Sequence, residues 1–124
     1  MTNEEYIEEF IQLTSYKIDY SSKKDIRKNN RDAKKLIKMR NIIKNNREMF
    51  MEVYCFLLKS DNKKVQVSAA VDCLNSDVYI EEALEILNEV SQEVNSDELD
   101  ERLTAFSAEM ALRIYNGEFP GKKL

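Results

Sequence analysis

The chain of 124 residues contains no histidine and no tryptophan, one proline and only two glycines. Without histidine, the commonest general base and the commonest nitrogen ligand for metals are missing. Two cysteines cannot complete an ordinary zinc site without histidine, and glycines confined to the C-terminal end cannot form a phosphate-binding loop. β-Hairpin corners also need glycine or proline, so an all-β fold is disfavoured. We therefore expect a protein that is not an enzyme and that uses no metal or cofactor.

Long hydrophobic runs are missing as well. The longest apolar run, residues 53–58, has six residues, whereas a membrane-spanning helix needs about twenty. The N-terminus carries four glutamates within its first nine residues, which is the opposite of a basic signal peptide. We therefore expect a cytoplasmic protein, with Cys55 and Cys73 as reduced thiols in the core.

What the chain does have is the composition of a globular helical protein, with 43% hydrophobic and 34% charged residues. Helix-capping pairs occur at Thr2 with Glu5, Ser22 with Asp25, and Asn45 with Glu48, each just ahead of a run with apolar residues every three or four positions. We predict a single all-α domain over residues 1–124, made of six antiparallel helices joined by short links. The predicted helices cover residues 3–19, 23–45, 47–59, 63–75, 78–94 and 103–116.

The apolar positions predict which side of each helix is buried. In the first helix they are Tyr6, Phe10 and Leu13. The third helix is apolar nearly all round, so we expect it to lie centrally. The fourth helix presents Ala69 and Ala70 beside larger residues, and small side chains at such positions allow two helix axes to approach closely. For the second helix, the predicted buried stripe consists of Ile26, Ala33, Leu36, Ile37 and Ile43.

Residues 61–74, DNKKVQVSAAVDCL, resemble the turn and second helix of a HEAT-like repeat, with Asp in the turn, then Val, paired alanines and Leu. The later segments IEEALEILNEV and SAEMALRIYNGEF are similar to the closing segments of a small bacterial family, domain of unknown function 2019. The resemblance spans about residues 33–119. It implies HEAT-like α-α hairpins stacked as a right-handed superhelix, and a role in interaction, because the family has no established activity. One departure is Gln66, where many HEAT-like repeats carry arginine.

Charge is strongly segregated along the chain, although the net charge is only −4 and the isoelectric point is near 5.0. Residues 21–47 hold eleven basic and two acidic side chains, whereas residues 65–120 hold two basic and thirteen acidic ones. Like charges three or four residues apart cost roughly 0.2–0.5 kcal/mol per pair on an isolated helix. We therefore expect an anionic group to lie against the basic second helix and to compensate this repulsion. The basic residues that share one face are Lys24, Arg27, Lys28, Arg31, Lys34, Lys35 and Lys38.

The sequence is compatible with three sources of compensating negative charge. The first is the chain's own glutamates or solvent, since surface ion pairs are common but weak. The second is nucleic acid, whose phosphates a lysine and arginine stripe can neutralise, although no aromatic residues interleave the stripe to stack on bases. The third is a protein partner with a complementary electric field.

The acidic half favours a basic protein as the partner. Small acidic proteins that block the basic cleft of a nuclease toxin act as immunity factors, and this chain has the expected size, polarity and helical fold. We expect an immunity or antitoxin protein, with a nucleic-acid-binding accessory protein that uses the basic face of residues 23–47 as the alternative. The seven basic residues of the second helix are predicted as a second contact surface. The predicted partner-binding residues are Glu81, Glu82, Glu85, Glu89, Asp97, Glu98, Asp100 and Glu101.

Overall fold

The computed structural model describes all 124 residues and contains six helices and no strand, with 69% of the chain helical. The predicted all-α class with about six helices is confirmed. None of the helices is long and apolar enough to cross a bilayer. The helices are α1 Asn3–Thr14, α2 Lys23–Ile43, α3 Arg47–Leu57, α4 Lys63–Asn75, α5 Ile80–Ser91 and α6 Leu99–Tyr115.

Short polar side chains start the first three helices, and two of these capping residues are the predicted ones. The Thr2 hydroxyl accepts a hydrogen bond from the Glu5 amide at 3.1 Å, and the Ser22 hydroxyl accepts one from the Asp25 amide at 3.2 Å. Ahead of α3 the cap is Asn46 rather than the predicted Asn45, since the Asn46 carboxamide oxygen accepts from the Met49 amide. Each cap satisfies an amide that the first helical turn leaves without a partner.

Only α4 matches the prediction at both ends, and each of the other five helices differs at one or both boundaries. α1 ends at Thr14 rather than at residue 19, because the following segment turns to bring Tyr16 against α2. α5 begins at Ile80 rather than at residue 78, because Asp77 and Tyr79 both adopt left-handed backbone conformations, with φ near 54° and 52°. α6 begins at Leu99, four residues before the predicted start, and carries Asp100 and Glu101 in its first turn.

The chain divides into two compact units, Met1–Cys55 and Phe56–Leu124, and the division falls within α3. The single domain over residues 1–124 stays a prediction. In the first unit, buried aromatic side chains of α1 and α3 contact one another: the Tyr6 and Tyr54 hydroxyls are 2.8 Å apart, and the Phe50 and Tyr54 rings stack with centroids at 4.1 Å. One side of α3 is exposed, since Met51 is exposed and Phe56 is 59% exposed, and the central position of this helix stays a prediction.

The buried side of α2 agrees with the predicted stripe only at Leu36 and Ile43. Leu36, Met39 and Ile43 are buried, whereas Ala33 is exposed and Ile26 and Ile37 are 40% and 56% exposed. The three apolar residues of the C-terminal half set the orientation of the helix. At about 3.6 residues per turn, the same row continues backwards through Asp32, which is buried although charged. The prediction was wrong at Ile26, Ala33 and Ile37 because the buried row is apolar in the C-terminal half of α2 and polar in its N-terminal half.

The core of the second unit combines alanines with larger side chains such as Val65 and Leu87. α4 packs against α5 and α6, and α5 packs against α6. The completely buried residues include Ala69 and Ala70 of α4 and Ala83 of α5. Ala105, Ala108 and Ala111 of α6 are buried as well, so all three helices present alanine to the core. Gln66, the departure from the HEAT-like pattern, donates a hydrogen bond from its side chain to the Leu58 carbonyl at 2.9 Å, beyond the end of α3.

The close packing of α4 can be tested by enlarging one alanine. We expect Ala69→Leu to lower the free energy of unfolding by about 1–3 kcal/mol, because the three added carbons have no space between the helices. The matched control is Ala33→Leu, the same change at an exposed helical position, with an expected effect within about 0.5 kcal/mol. Denaturant unfolding followed by circular dichroism measures both. Equal losses for the two variants would contradict the packing described here.

Candidate functional site

The outward side of α5 is an acidic surface formed by four of the predicted partner-binding residues. Its inward side buries Ala83, Leu87 and Val90, so the helix is fixed against the unit and its outer side faces solvent. None of the four carboxylates takes part in an ion pair, and at spacings of three and four residues they repel one another. We call these residues the acidic face: Glu81, Glu82, Glu85 and Glu89, all exposed.

The predicted cluster at residues 97–101 is less available than the acidic face. Asp97 is exposed, but Asp100 is partly buried and forms an ion pair with Lys64 at 2.6 Å. The Glu101 carboxylate accepts a hydrogen bond from the Ser96 hydroxyl at 2.5 Å, and Glu98 is the residue that precedes the first turn of α6. The structure thus uses part of this cluster to fix the start of α6.

Two lysines at the start of α4 neutralise carboxylates that lie far away in the sequence. Lys63 forms an ion pair with Glu93, just after α5, and Lys64 forms the one with Asp100 in α6. Sequence analysis missed both pairs, because the partners are 30 and 36 residues apart and no local spacing connects them. These pairs reduce the charge at the Glu93 and Asp100 end, whereas the four carboxylates of the acidic face keep their charge uncompensated.

The predicted basic residues lie along one side of α2, and all seven are exposed. Lys28 is neutralised within the chain, because its ammonium lies 2.7 Å from the Asp32 carboxylate. Lys35 is near enough to Asp32 to favour its charged form. The remaining five form no ion pair, and we call them the basic face: Lys24, Arg27, Arg31, Lys34 and Lys38.

A polar cluster joins α2 to the segment after α1. The Lys28 ammonium lies 3.6 Å from the centre of the Tyr16 ring and donates a hydrogen bond to the Asp32 carboxylate at 2.7 Å, and the Tyr16 hydroxyl lies near the same carboxylate. Burial raises the pKa of the Asp32 carboxyl, but the nearby Lys28 ammonium and Tyr16 hydroxyl outweigh it and hold that pKa below its ordinary value. Burial, followed by the nearby Asp32 carboxylate, raises the pKa of Tyr16 to about 12. The cluster explains how α2 tolerates a buried charge.

The Cys73 thiol lies inside the second unit. Cys73 is buried, and that burial, followed by the nearby carboxylates of Asp72 and Glu82, raises the pKa of its thiol to about 12. The thiol therefore stays protonated at neutral pH and is a poor nucleophile. No three cysteine, aspartate or glutamate side chains are close enough together to hold a metal ion.

No protein family matches the chain, and no match was found among curated proteins or among solved structures. The membership in the domain of unknown function 2019 family, indicated by the short segments quoted above, therefore stays a prediction.

The Asp32 cluster predicts a pH-dependent stability. Since the folded-state pKa lies below the ordinary value of 3.8, the charged carboxylate stabilises the fold above that pH and loses its effect as the pH falls through the folded-state value. We expect Asp32→Asn to cost about 1–3 kcal/mol at pH 7 and less below pH ~3. Unfolding of both proteins across pH 2.5–7 measures this. Glu8→Gln, at an exposed carboxylate without an ion pair, is the control, and a pH-independent difference for Asp32→Asn would contradict the prediction.

The two thiols should differ in reactivity. In Cys55→Ser, which keeps the buried Cys73, we expect labelling by a disulfide reagent at pH 8 to be at least ~100-fold slower than in Cys73→Ser, which keeps the partly exposed Cys55. The absorbance of the released thiolate gives both rates, and denaturant should make them similar. Equal rates in the folded proteins would show that Cys73 is accessible.

Proposed function

We propose that this chain is a non-catalytic, cytoplasmic protein-binding module that neutralises a basic, nuclease-type toxin as an immunity or antitoxin protein. The observation that carries the proposal is the acidic face of α5, with four exposed glutamates that no basic side chain of the chain neutralises. Asp97 and the other carboxylates of the 97–101 segment extend the proposed contact.

Charge gives this proposal its physical basis. A nuclease binds phosphates through lysines and arginines, so its cleft has a positive potential that an array of carboxylates can match. Complementary potentials accelerate encounter and favour the correct partner over others. The acidic face lies on a helix whose other side is buried, so little order has to be created when a partner binds.

The alternative is a nucleic-acid-binding accessory protein. The five exposed, unpaired side chains of the basic face support it, since such a row can contact successive phosphates. The net charge of −4 and the lack of interleaved aromatic residues weigh against it. Protein binding is therefore the function that the charge distribution favours.

Charge reversal on the acidic face tests the proposal. The wild-type chain, immobilised, should capture from an extract of its native cell a basic protein with nuclease activity, and should inhibit that activity. We expect Glu85→Lys with Glu89→Lys to weaken binding and inhibition about 100-fold or more, with an unchanged helical circular dichroism signal. The matched control is Glu4→Lys with Glu8→Lys, the same charge change at the same spacing on α1. Inhibition that survives reversal of the acidic face contradicts the proposed site.

The alternative predicts a different result. Nucleic acid bound through the basic face would raise the ratio of absorbance at 260 nm to that at 280 nm in protein purified at low salt, and high salt would remove it. Lys34→Glu with Lys38→Glu would abolish that retention. Retained nucleic acid in the absence of any captured nuclease would favour the alternative over the toxin-binding function.

A further inference from the structure

α6 has a second apolar row in addition to the side that packs against α4 and α5. Its buried side consists of Ala105, Ala108 and Ala111. Leu99, Leu103 and Phe106 are 55%, 37% and 56% exposed, and Met110 is partly exposed. At about 3.6 residues per turn these four side chains form one row on the side of the helix opposite the alanines. These four bulky apolar residues therefore face outward, and the alanines face inward.

The spacing of this outer row is that of a helix-pairing seam. Leu99, Leu103, Phe106 and Met110 are separated by four, three and four residues, which is the alternation of core positions in a two-stranded coiled coil. An exposed row of large apolar residues at this spacing fits the side of another helix.

The charges beside the row indicate which helix fits. Arg102 and Glu109 lie seven residues apart along the same edge of the row. A second α6 running in the opposite direction, with its twofold axis between Leu103 and Phe106, places Leu99 across from Met110 and Leu103 across from Phe106. The same axis places Arg102 of each copy across from Glu109 of the other. A parallel second helix would instead place Arg102 across from Ser107 and leave both charges uncompensated.

The groups that flank the row allow this arrangement. One guanidinium nitrogen of Arg102 donates to the Ser96 carbonyl at 3.0 Å and lies 3.5 Å from the Asp97 carbonyl, which leaves its other donors for a carboxylate. Glu109 forms no ion pair within the chain. On the other edge, the antiparallel axis places Asp100, which Lys64 neutralises, across from Ser107, so no like charges face each other.

We propose that α6 is a self-association surface, which pairs antiparallel with α6 of a second copy of this chain through Leu99, Leu103, Phe106 and Met110 and two symmetric Arg102–Glu109 ion pairs. The row spans about three helical turns, so the contact falls below the roughly 1,200 Å² of a standard stable interface. We therefore expect a weak dimer, with a Kd on the order of 10–100 μM. This surface is separate from the acidic face, and its test does not depend on the proposed toxin-binding function.

Sedimentation equilibrium of the 124-residue chain from about 5 μM to 1 mM tests the pairing. We expect a reversible monomer–dimer equilibrium that Phe106→Glu weakens at least ~30-fold, because it buries a charge in the seam. The matched control is Phe56→Glu, the same substitution at a phenylalanine that is 59% exposed, with an unchanged Kd. Circular dichroism should show the same helical content for all variants.

A charge exchange tests the direction of pairing. Arg102→Glu and Glu109→Arg should each weaken dimerisation about tenfold, because each single change puts like charges opposite one another twice. The double variant with both changes should return to within about threefold of the wild-type Kd. Since Arg102 and Glu109 are two turns apart on one helix, this rescue requires contact between copies.

Three results would overturn the proposal. The first is a chain that stays monomeric throughout the concentration range, even if its α6 binds a different protein. The second is a dimer that Phe56→Glu weakens and Phe106→Glu does not. The third is a dimer that is insensitive to Arg102→Glu or that the double variant does not restore, which would exclude antiparallel α6 pairing.

Discussion

The packing of α4, α5 and α6 through alanine is the contact on which the outer surfaces of the second unit depend. Ala70, Ala83 and Ala108 are each completely buried on a different one of the three helices. Alanines form the inner side of α6, so its large apolar side chains at positions 99, 103, 106 and 110 lie outside. α5 buries Leu87 and Val90 together with Ala83, and its glutamates lie on the opposite, exposed side. Both proposed surfaces are the outer sides of helices that are fixed by this packing.

Internal ion pairs determine how much of the charge remains available. Lys63 and Lys64 neutralise Glu93 and Asp100, so the carboxylates at that end of α5 and α6 stabilise the unit itself. The four glutamates of the acidic face have no such partner. An exposed ion pair contributes little to stability, but an unneutralised row of like charges has a field that acts beyond the surface. The carboxylates of Glu93 and Asp100 are therefore structural, whereas those of the acidic face are available to a partner.

α2 combines a buried charge with exposed apolar residues. Its orientation follows Leu36, Met39 and Ile43, and this orientation places Asp32 inside and Ile26 and Ile37 outside. The cost of burying a carboxylate is offset by Lys28 one turn earlier and by the Tyr16 hydroxyl. In the polar half of α2, the buried group is therefore a single carboxylate whose charge is compensated. The exposed basic residues lie beside this carboxylate.

The sequence alone determined the helical class, the capping residues Thr2 and Ser22, the exact limits of α4 and the alanine core, because these depend on contacts within a few residues and on composition. It also determined which helices carry excess charge of each sign. Only the tertiary structure decided which carboxylates remain unpaired, which side of α2 is buried and that the apolar row of α6 is exposed. These features depend on residues that are distant in the chain, such as Lys64 and Asp100, and local spacing carries no information about such contacts.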